Sequence, residues 1–196
     1  MKLISFIDAG QPTYGVVHGD RYVRPPAEFL GRYPDLRAVL AAGALGELQQ
    51  VTAHGGIAVD PAAVKALPVL PNPGKLICVG LNYKTHVAET QRPDSAHPSL
   101  FLRFNDTLAA QDDVVLRPAF SDRFDWEGEL AFVIGKGGRH IPKSQAFEHI
   151  AGYACFNDIS VRDWQRHTHQ FTPGKNFPGT APFGPYLVTR DEIPDV

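Results

Sequence analysis

Two carboxylates set two residues apart mark the first place where this chain could do chemistry. In Phe124-Asp125-Trp126-Glu127-Gly128-Glu129-Leu130-Ala131-Phe132-Val133-Ile134 the apolar run predicts a strand, from which Glu127 and Glu129 project on one face. Two anions held that close beside apolar sequence repel each other and lose hydration, unless one is protonated or a cation bridges them. A hard divalent ion suits an all-oxygen donor set. A solvated acidic face on an edge strand satisfies the same spacing with no ligand. Gly128 leaves the opposite face bare and predicts close approach by another backbone. Asp158 follows the apolar run Ala154-Cys155-Phe156 and precedes Ile159-Ser160. It offers a third oxygen at a strand end, or else caps a turn that begins at Ser160. Sulfur and imidazole donors are scattered, which disfavours zinc, and the pair His167 and His169 lies in a polar stretch expected at the surface.

A second group lies upstream, in Gly80-Leu81-Asn82-Tyr83-Lys84-Thr85-His86-Val87-Ala88-Glu89. If this segment is a helical turn, His86 and Glu89 share one side at i, i+3. Glu89 would then hold His86 in the tautomer and charge state that a general base needs. A surface histidine with an incidental acidic neighbour fits the same spacing. Downstream of Asp158, Arg162, Gln165 and Lys175 supply two cations and an amide, suited to an anionic substrate or a developing enolate. Arg162 alone could equally form a structural ion pair.

These residues must be positioned by a chain of 196 residues, 43% hydrophobic and 20% charged, which excludes disorder for its bulk and fits one domain or a domain with a small appendage. Lys plus Arg (19) nearly balances Asp plus Glu (21), so no strong field collects phosphate backbones or anionic lipid. No nucleic-acid or membrane partner is therefore expected. The apolar runs fall well short of the roughly 18 to 20 residues that span a bilayer, and the start carries no signal-peptide pattern. A cytoplasmic location is the expectation. Cys78 and Cys155 have no metal or disulfide spacing and are expected to be buried thiols.

Gly (18) and Pro (17) are abundant and favour short strands and turns. Strands are predicted over 2–7, 14–18 and 21–24, followed by a short helix, or two, capped by Asp35. The Pro- and Gly-rich stretch from His54 to Gly74 predicts an extended linker, and with it a small N-terminal domain over 1–70 and a second domain over 71–196. In the latter, strands are predicted over 76–79, 100–104, 114–116, 126–134, 150–158 and 186–189. Helical segments are predicted over 144–149, capped by Ser144, and over 160–166. The expected class is α+β, a small α+β domain followed by a β-rich roll of mixed sheets.

Taken in order, the segments from Gly80 to Glu89, Asp125 to Ala131, Gly152 to Gln165 and Gly174 to Phe177 resemble the fumarylacetoacetate hydrolase family. The similarity runs from about residue 70 to the end. The resemblance implies that Glu127, Glu129 and Asp158 bind Mg²⁺ or Mn²⁺, with Ca²⁺ admissible, and that His86 with Glu89 activates water. It implies that Lys175 stabilises negative charge and that Arg162 and Gln165 line the substrate. The implied activity is hydrolysis of a carbon–carbon bond in a 1,3-diketo acid of the acylpyruvate or fumarylpyruvate type, derived from aromatic or sugar breakdown, by a homodimer. Isomerase, decarboxylase or dehydratase action on a related 2-oxo acid uses the same enolate, and a truncated, non-catalytic metal-binding protein is a further alternative. Leu102-Arg103-Phe104 stands where family members commonly carry Lys-Pro. The chain also stops before the family's further strands and its Gly-Thr-Pro loop. It is therefore expected to be the N-terminal part of a longer enzyme, a truncated product, or half of a site completed by another chain.

Overall fold

The computed structural model describes residues 1–84 and 96–193. The chain opens with β1 (Lys2–Asp8), β2 (Gln11–His18) and β3 (Arg21–Arg24), an antiparallel meander. Its first turn needs left-handed backbone at Ala9 (φ 47°) and Gly10 (φ 78°), the pair of positive φ values that matches the twist of a two-residue hairpin. Three helices follow, α1 (Ala27–Arg32), α2 (Leu36–Ala41) and α3 (Leu45–Gly55). Asp35 caps α2, accepting from the Ala38 amide at 2.7 Å, as its position before an apolar i, i+3, i+4 pattern predicts. The stretch expected as a linker contributes β4 (Ile57–Val59) and β5 (Lys65–Ala66), which pair with β3 and β1.

The remaining strands are β6 (Leu76–Gly80), β7 (Ser99–Arg103), β8 (Leu108–Ala109), β9 (Phe124–Asp125), β10 (Gly128–Ile134), β11 (Ile150–Asn157), β12 (Ser160–Val161), β13 (Ala181–Pro182) and β14 (Leu187–Thr189). Among the described residues, two single-turn helices lie between them, α4 (Arg162–Gln165) and α5 (Thr172–Lys175). An eight-stranded sheet runs β10-β11-β14-β1-β2-β3-β4, with β5 also on β1. The β14–β1 pairing thus joins the N-terminal meander to later sequence in one sheet. One core lies on it: Leu3, Tyr14, Phe29, Val39 and Leu48 pack with Phe156, Phe183 and Leu187, all buried. Among the described residues, three two-stranded pairs are separate from that sheet: β6–β7, β9–β12 and the parallel β8–β13.

Several local expectations differ from the structure. Residues 114–116 join no ladder, and Val114 and Leu116 are 84% and 75% exposed; three apolar residues without a pairing partner do not make a strand. The 3₁₀ segment Lys143–His149 starts after Pro142, whose preset φ opens it, and Ser144 makes no cap. Cys155 is exposed and Cys78 only half-buried, because each sits on a strand whose alternation turns toward or away from the core regardless of thiol chemistry. The space that a Cβ would fill at Gly128 is bounded by the Trp126 ring at 3.5 Å, with no backbone close by.

Candidate active site

Glu127 lies in the two-residue break between β9 and β10, outside the strand on which sequence placed it. The antiparallel pairing nonetheless continues past β10. Gly128 faces Asn157, the Glu127 carbonyl accepts from the Asp158 amide at 2.9 Å, and the Glu127 amide donates to Asn157 Oδ1 at 3.0 Å. That extension sets Glu127 opposite Asp158. Glu129 is in phase with Ala131 and Val133, the half-buried face of β10.

Lys175 arrives from α5. Gly174 makes this approach possible, since a Cβ there would stand 2.4 Å from the Gln165 amide nitrogen. Only hydrogen fits between α4 and α5. The Lys175 side chain is 1% exposed, and its ammonium donates to Glu127 Oε2 at 2.7 Å, Asp158 Oδ2 at 2.6 Å and the Asp158 carbonyl at 3.3 Å. Its three donors therefore meet three acceptors, and the charge also lies over the Phe101 ring, 5.2 Å from the centroid.

Arg162 donates to Asp125 Oδ2 through Nε (2.9 Å) and Nη2 (2.6 Å), to Gln165 Oε1 at 3.2 Å, and to Glu127 Oε1. Both arginine and glutamine are thus tied into the acidic cluster. Burial by itself would raise the Glu127 carboxyl, but Lys175 and Arg162 outweigh it and hold it below the usual range. Glu129 goes the other way. Burial pushes its carboxyl up against the hydrogen bond from Tyr83, and the charges of Glu127 and Asp158 push it further. Tyr83 follows Leu81, whose φ of 57° turns the chain after β6, and its hydroxyl accepts from the Leu130 amide at 3.3 Å while bonding Glu129.

The structure thus gathers Glu127, Glu129, Asp158, Arg162, Gln165 and Lys175 in one neighbourhood. His86 and Glu89 lie outside the described residues. Among the described residues, no three His, Cys, Asp or Glu side chains form a ready metal cluster; the Lys175 ammonium stands between two of the three acids. The donor chemistry still fits a hard divalent ion, because Glu127, Glu129 and Asp158 offer carboxylate oxygens alone, and the charges of Glu127 and Asp158 add to the burial that raises Glu129.

Four residues of the site escaped sequence reasoning. Tyr83, Asn157 and Ser160, which donates to Glu127 Oε1 at 3.1 Å, lie within the motifs but act through contacts that spacing does not encode. Arg103 carried a signal: on β7 it is in phase with buried Phe101, and a charge on the buried face of a strand needs a partner. Its partner is Asp158. Burial also pushes the Cys78 thiol up to about 12, which leaves it a neutral neighbour of this cluster.

Comparison with known proteins places the chain in a family. The family model for the fumarylacetoacetate (FAA) hydrolase C-terminal domain matches residues 75–196. An oxaloacetate tautomerase of Xenopus laevis is 40% identical over 67% of this chain and 42% of its own length. Among solved structures, a fumarylacetoacetate hydrolase from Exiguobacterium antarcticum superposes with TM-score 0.81 at 30% identity, over 97% of this chain and 67% of its own. A maleylpyruvate hydrolase from Sphingobium sp. SYK-6, determined with manganese(II) and pyruvate, superposes with TM-score 0.78 at 26% identity, over 100% of this chain and 69% of its own. The chain thus spans less than half the length of that tautomerase and about two thirds of those solved structures. With its mixed α+β fold, its ordered motifs and a family match over more than half its residues, the chain belongs to the fumarylacetoacetate hydrolase family.

Proposed function

We propose that this chain carries the acidic, enolate-stabilising site of a divalent-metal-dependent enzyme acting on 2-oxo acids, and that its reaction is hydrolytic cleavage of a carbon–carbon bond in a 1,3-diketo acid. The observation that carries the reading is the buried Lys175 ammonium shared between Glu127 and Asp158, with Glu129 electrostatically coupled to both. Such a concentration of opposite charge is costly for a fold to bury and suits a site that binds a charged reactant. Glu127, Glu129 and Asp158 are the residues that would hold Mg²⁺ or Mn²⁺. When bound, such an ion polarises carbonyl and carboxylate oxygens as a Lewis acid.

The chain's own groups do the rest. Arg162 and Lys175 keep Glu127 ionised, so that it remains an acceptor across the neutral range. Gln165, held by Arg162, presents its amide N–H groups toward substrate. His86, oriented by Glu89, would take the proton of a water attacking the distal carbonyl of the diketo acid. Cleavage then yields an acid and a pyruvate-type enolate, whose charge Lys175 and Arg162 offset until it is protonated. The reading includes a homodimer, which light scattering on the purified protein tests.

The test of function is turnover of an acylpyruvate with added Mg²⁺ or Mn²⁺. Activity should vanish with chelator and fall at least about 100-fold in Glu127→Ala and His86→Ala, in line with the loss of a general base. Unchanged turnover in both variants removes the assignment. The 40% identity to an oxaloacetate tautomerase favours a second reading, enol–keto isomerisation of a 2-oxo diacid. Product analysis by NMR separates the two, because only hydrolysis splits the carbon chain.

A further inference from the structure

Arg103, so far described only as the partner of Asp158, is 2% exposed. It sits at the end of β7 opposite Leu76, with four of its five donors engaged. Nη1 donates to Asp158 Oδ1 and to the Ile159 carbonyl (3.2 Å), Nη2 to Thr180 Oγ1 (2.7 Å) and Nε to Thr107 Oγ1 (3.4 Å). The two threonines are buried, and they immediately precede Leu108 and Ala181, which are paired in the parallel β8–β13 ladder. The guanidinium is therefore clamped to a small, separate piece of sheet, and it bonds the Asp158 oxygen that Lys175 does not.

This divides the Asp158 carboxylate. Oδ1 is held back by Arg103, and Oδ2 is presented at 2.6 Å to Lys175, which also holds Glu127 Oε2 at 2.7 Å. With the always charged guanidinium on one oxygen and the ammonium on the other, the buried carboxylate is restrained in its orientation from both ends. We infer that Arg103 is a positioning residue that fixes Asp158 with one oxygen aimed at the place where the acidic cluster shares a cation. The inference rests on the proposed reading of Glu127, Glu129 and Asp158 as the cation-binding set. It adds that β7 and the β8–β13 pair, which contribute none of those acids, set the geometry of the site.

The experiment is Mn²⁺ binding to the purified protein, followed by electron paramagnetic resonance, in native, Arg103→Gln, Asp158→Asn and the double variant. Circular dichroism establishes that each is folded. Arg103→Gln should weaken Mn²⁺ binding by about 10- to 100-fold, the usual effect of losing a residue that orients a ligand. In the Asp158→Asn background the same change should alter affinity by less than about twofold, because the two residues act as one unit. Arg103→Lys should recover part of the loss. A folded Arg103→Gln variant that binds Mn²⁺ within about twofold of native, or an equal loss with and without Asp158, overturns the inference. Should Arg103→Gln fail to fold, Thr107→Ala with Thr180→Ala removes two of the clamps and keeps the charge. Weaker Mn²⁺ binding in that variant supports positioning, and native-like binding overturns it. If native protein binds no Mn²⁺ that depends on Glu127 and Asp158, the reading of the acidic cluster fails and the role of Arg103 falls with it.

Discussion

In β1, Leu3, Ile4 and Phe6 are fully buried, whereas in β10, at the end of the same sheet, Leu130, Phe132 and Ile134 are 53%, 56% and 55% exposed. Both strands are rich in apolar residues. Helices α1 to α3 bring Phe29, Leu36, Val39 and Leu48 to the core that includes Leu3 and Tyr14, while the outer face of β10 has no such layer among the described residues. The β6–β7 pair shows the same condition: Ile77 faces Leu102 and Val79 faces Leu100 across the ladder, and all four are exposed. Alternation decides which residues share a face, and only a second layer turns that face into a core. The charged cluster lies where these two regimes meet, on the half-buried side of β10 and the end of β11.

The comparison can be broken most directly by truncation on each side. Phe29→Ala should cost about 3–5 kcal/mol, as for a large ring deleted from a packed core, while Phe132→Ala should stay within about 0.5 kcal/mol; urea unfolding measures both. Equal losses would show that the β10 face is covered in solution. Next in size, Lys175→Met should destabilise by about 1–3 kcal/mol, because it removes the cation that Asp158 and Glu127 share while Arg103 and Arg162 still pair them. Asp35→Ala, which removes the cap of α2, should cost about 1 kcal/mol.

The smaller effects sharpen the picture of the acidic cluster. Glu129 has its carboxyl raised, so the folded state holds that proton more tightly than the unfolded chain does. Its contribution to stability is therefore lost as pH rises from the ordinary glutamate range through the raised value. Glu127 is lowered, and its contribution is present above the ordinary glutamate range and lost as pH falls through the depressed value. In metal-free protein at neutral pH, Glu129→Gln should raise the melting temperature by about 2 °C, which corresponds to a fraction of a kcal/mol for a chain of this size. Glu127→Gln should lower it, and the two opposite signs in one calorimetric series are the measurement. Finally, Leu100→Ser with Phe132→Ser should reduce fluorescence of a bound apolar dye while leaving the melting temperature nearly unchanged, since both side chains are surface groups.

Much of the fold near the N-terminus was legible residue by residue. The alternation and turn signals of 2–24 correspond to β1, β2 and β3, and Asp35 before Leu36, Val39 and Leu40 corresponds to a capped helix. Helix α1 and the strands within the proline-rich stretch were not, because short elements there are held by tertiary pairing rather than by propensity. At the site, residue types singled out the acids, Arg162, Gln165 and Lys175. Their partners were not legible: Arg162 with Asp125, Tyr83 with Glu129, and Arg103 with Asp158 span large gaps in sequence.

The sequence by itself determined the ingredients and their local phase: an acidic pair flanking a glycine, an acid at a strand end, a lysine beside a glycine, and strands whose alternation selects one face. Tertiary structure alone decided that Glu127 stands opposite Asp158 through an extended ladder, that Gly174 lets Lys175 come between them, and that Arg103 reaches Asp158 from another sheet. The physical reason is that spacing along a chain governs direction within one element. Distance between charges, and with it their ionisation and what they can bind, depends on how separate elements pack.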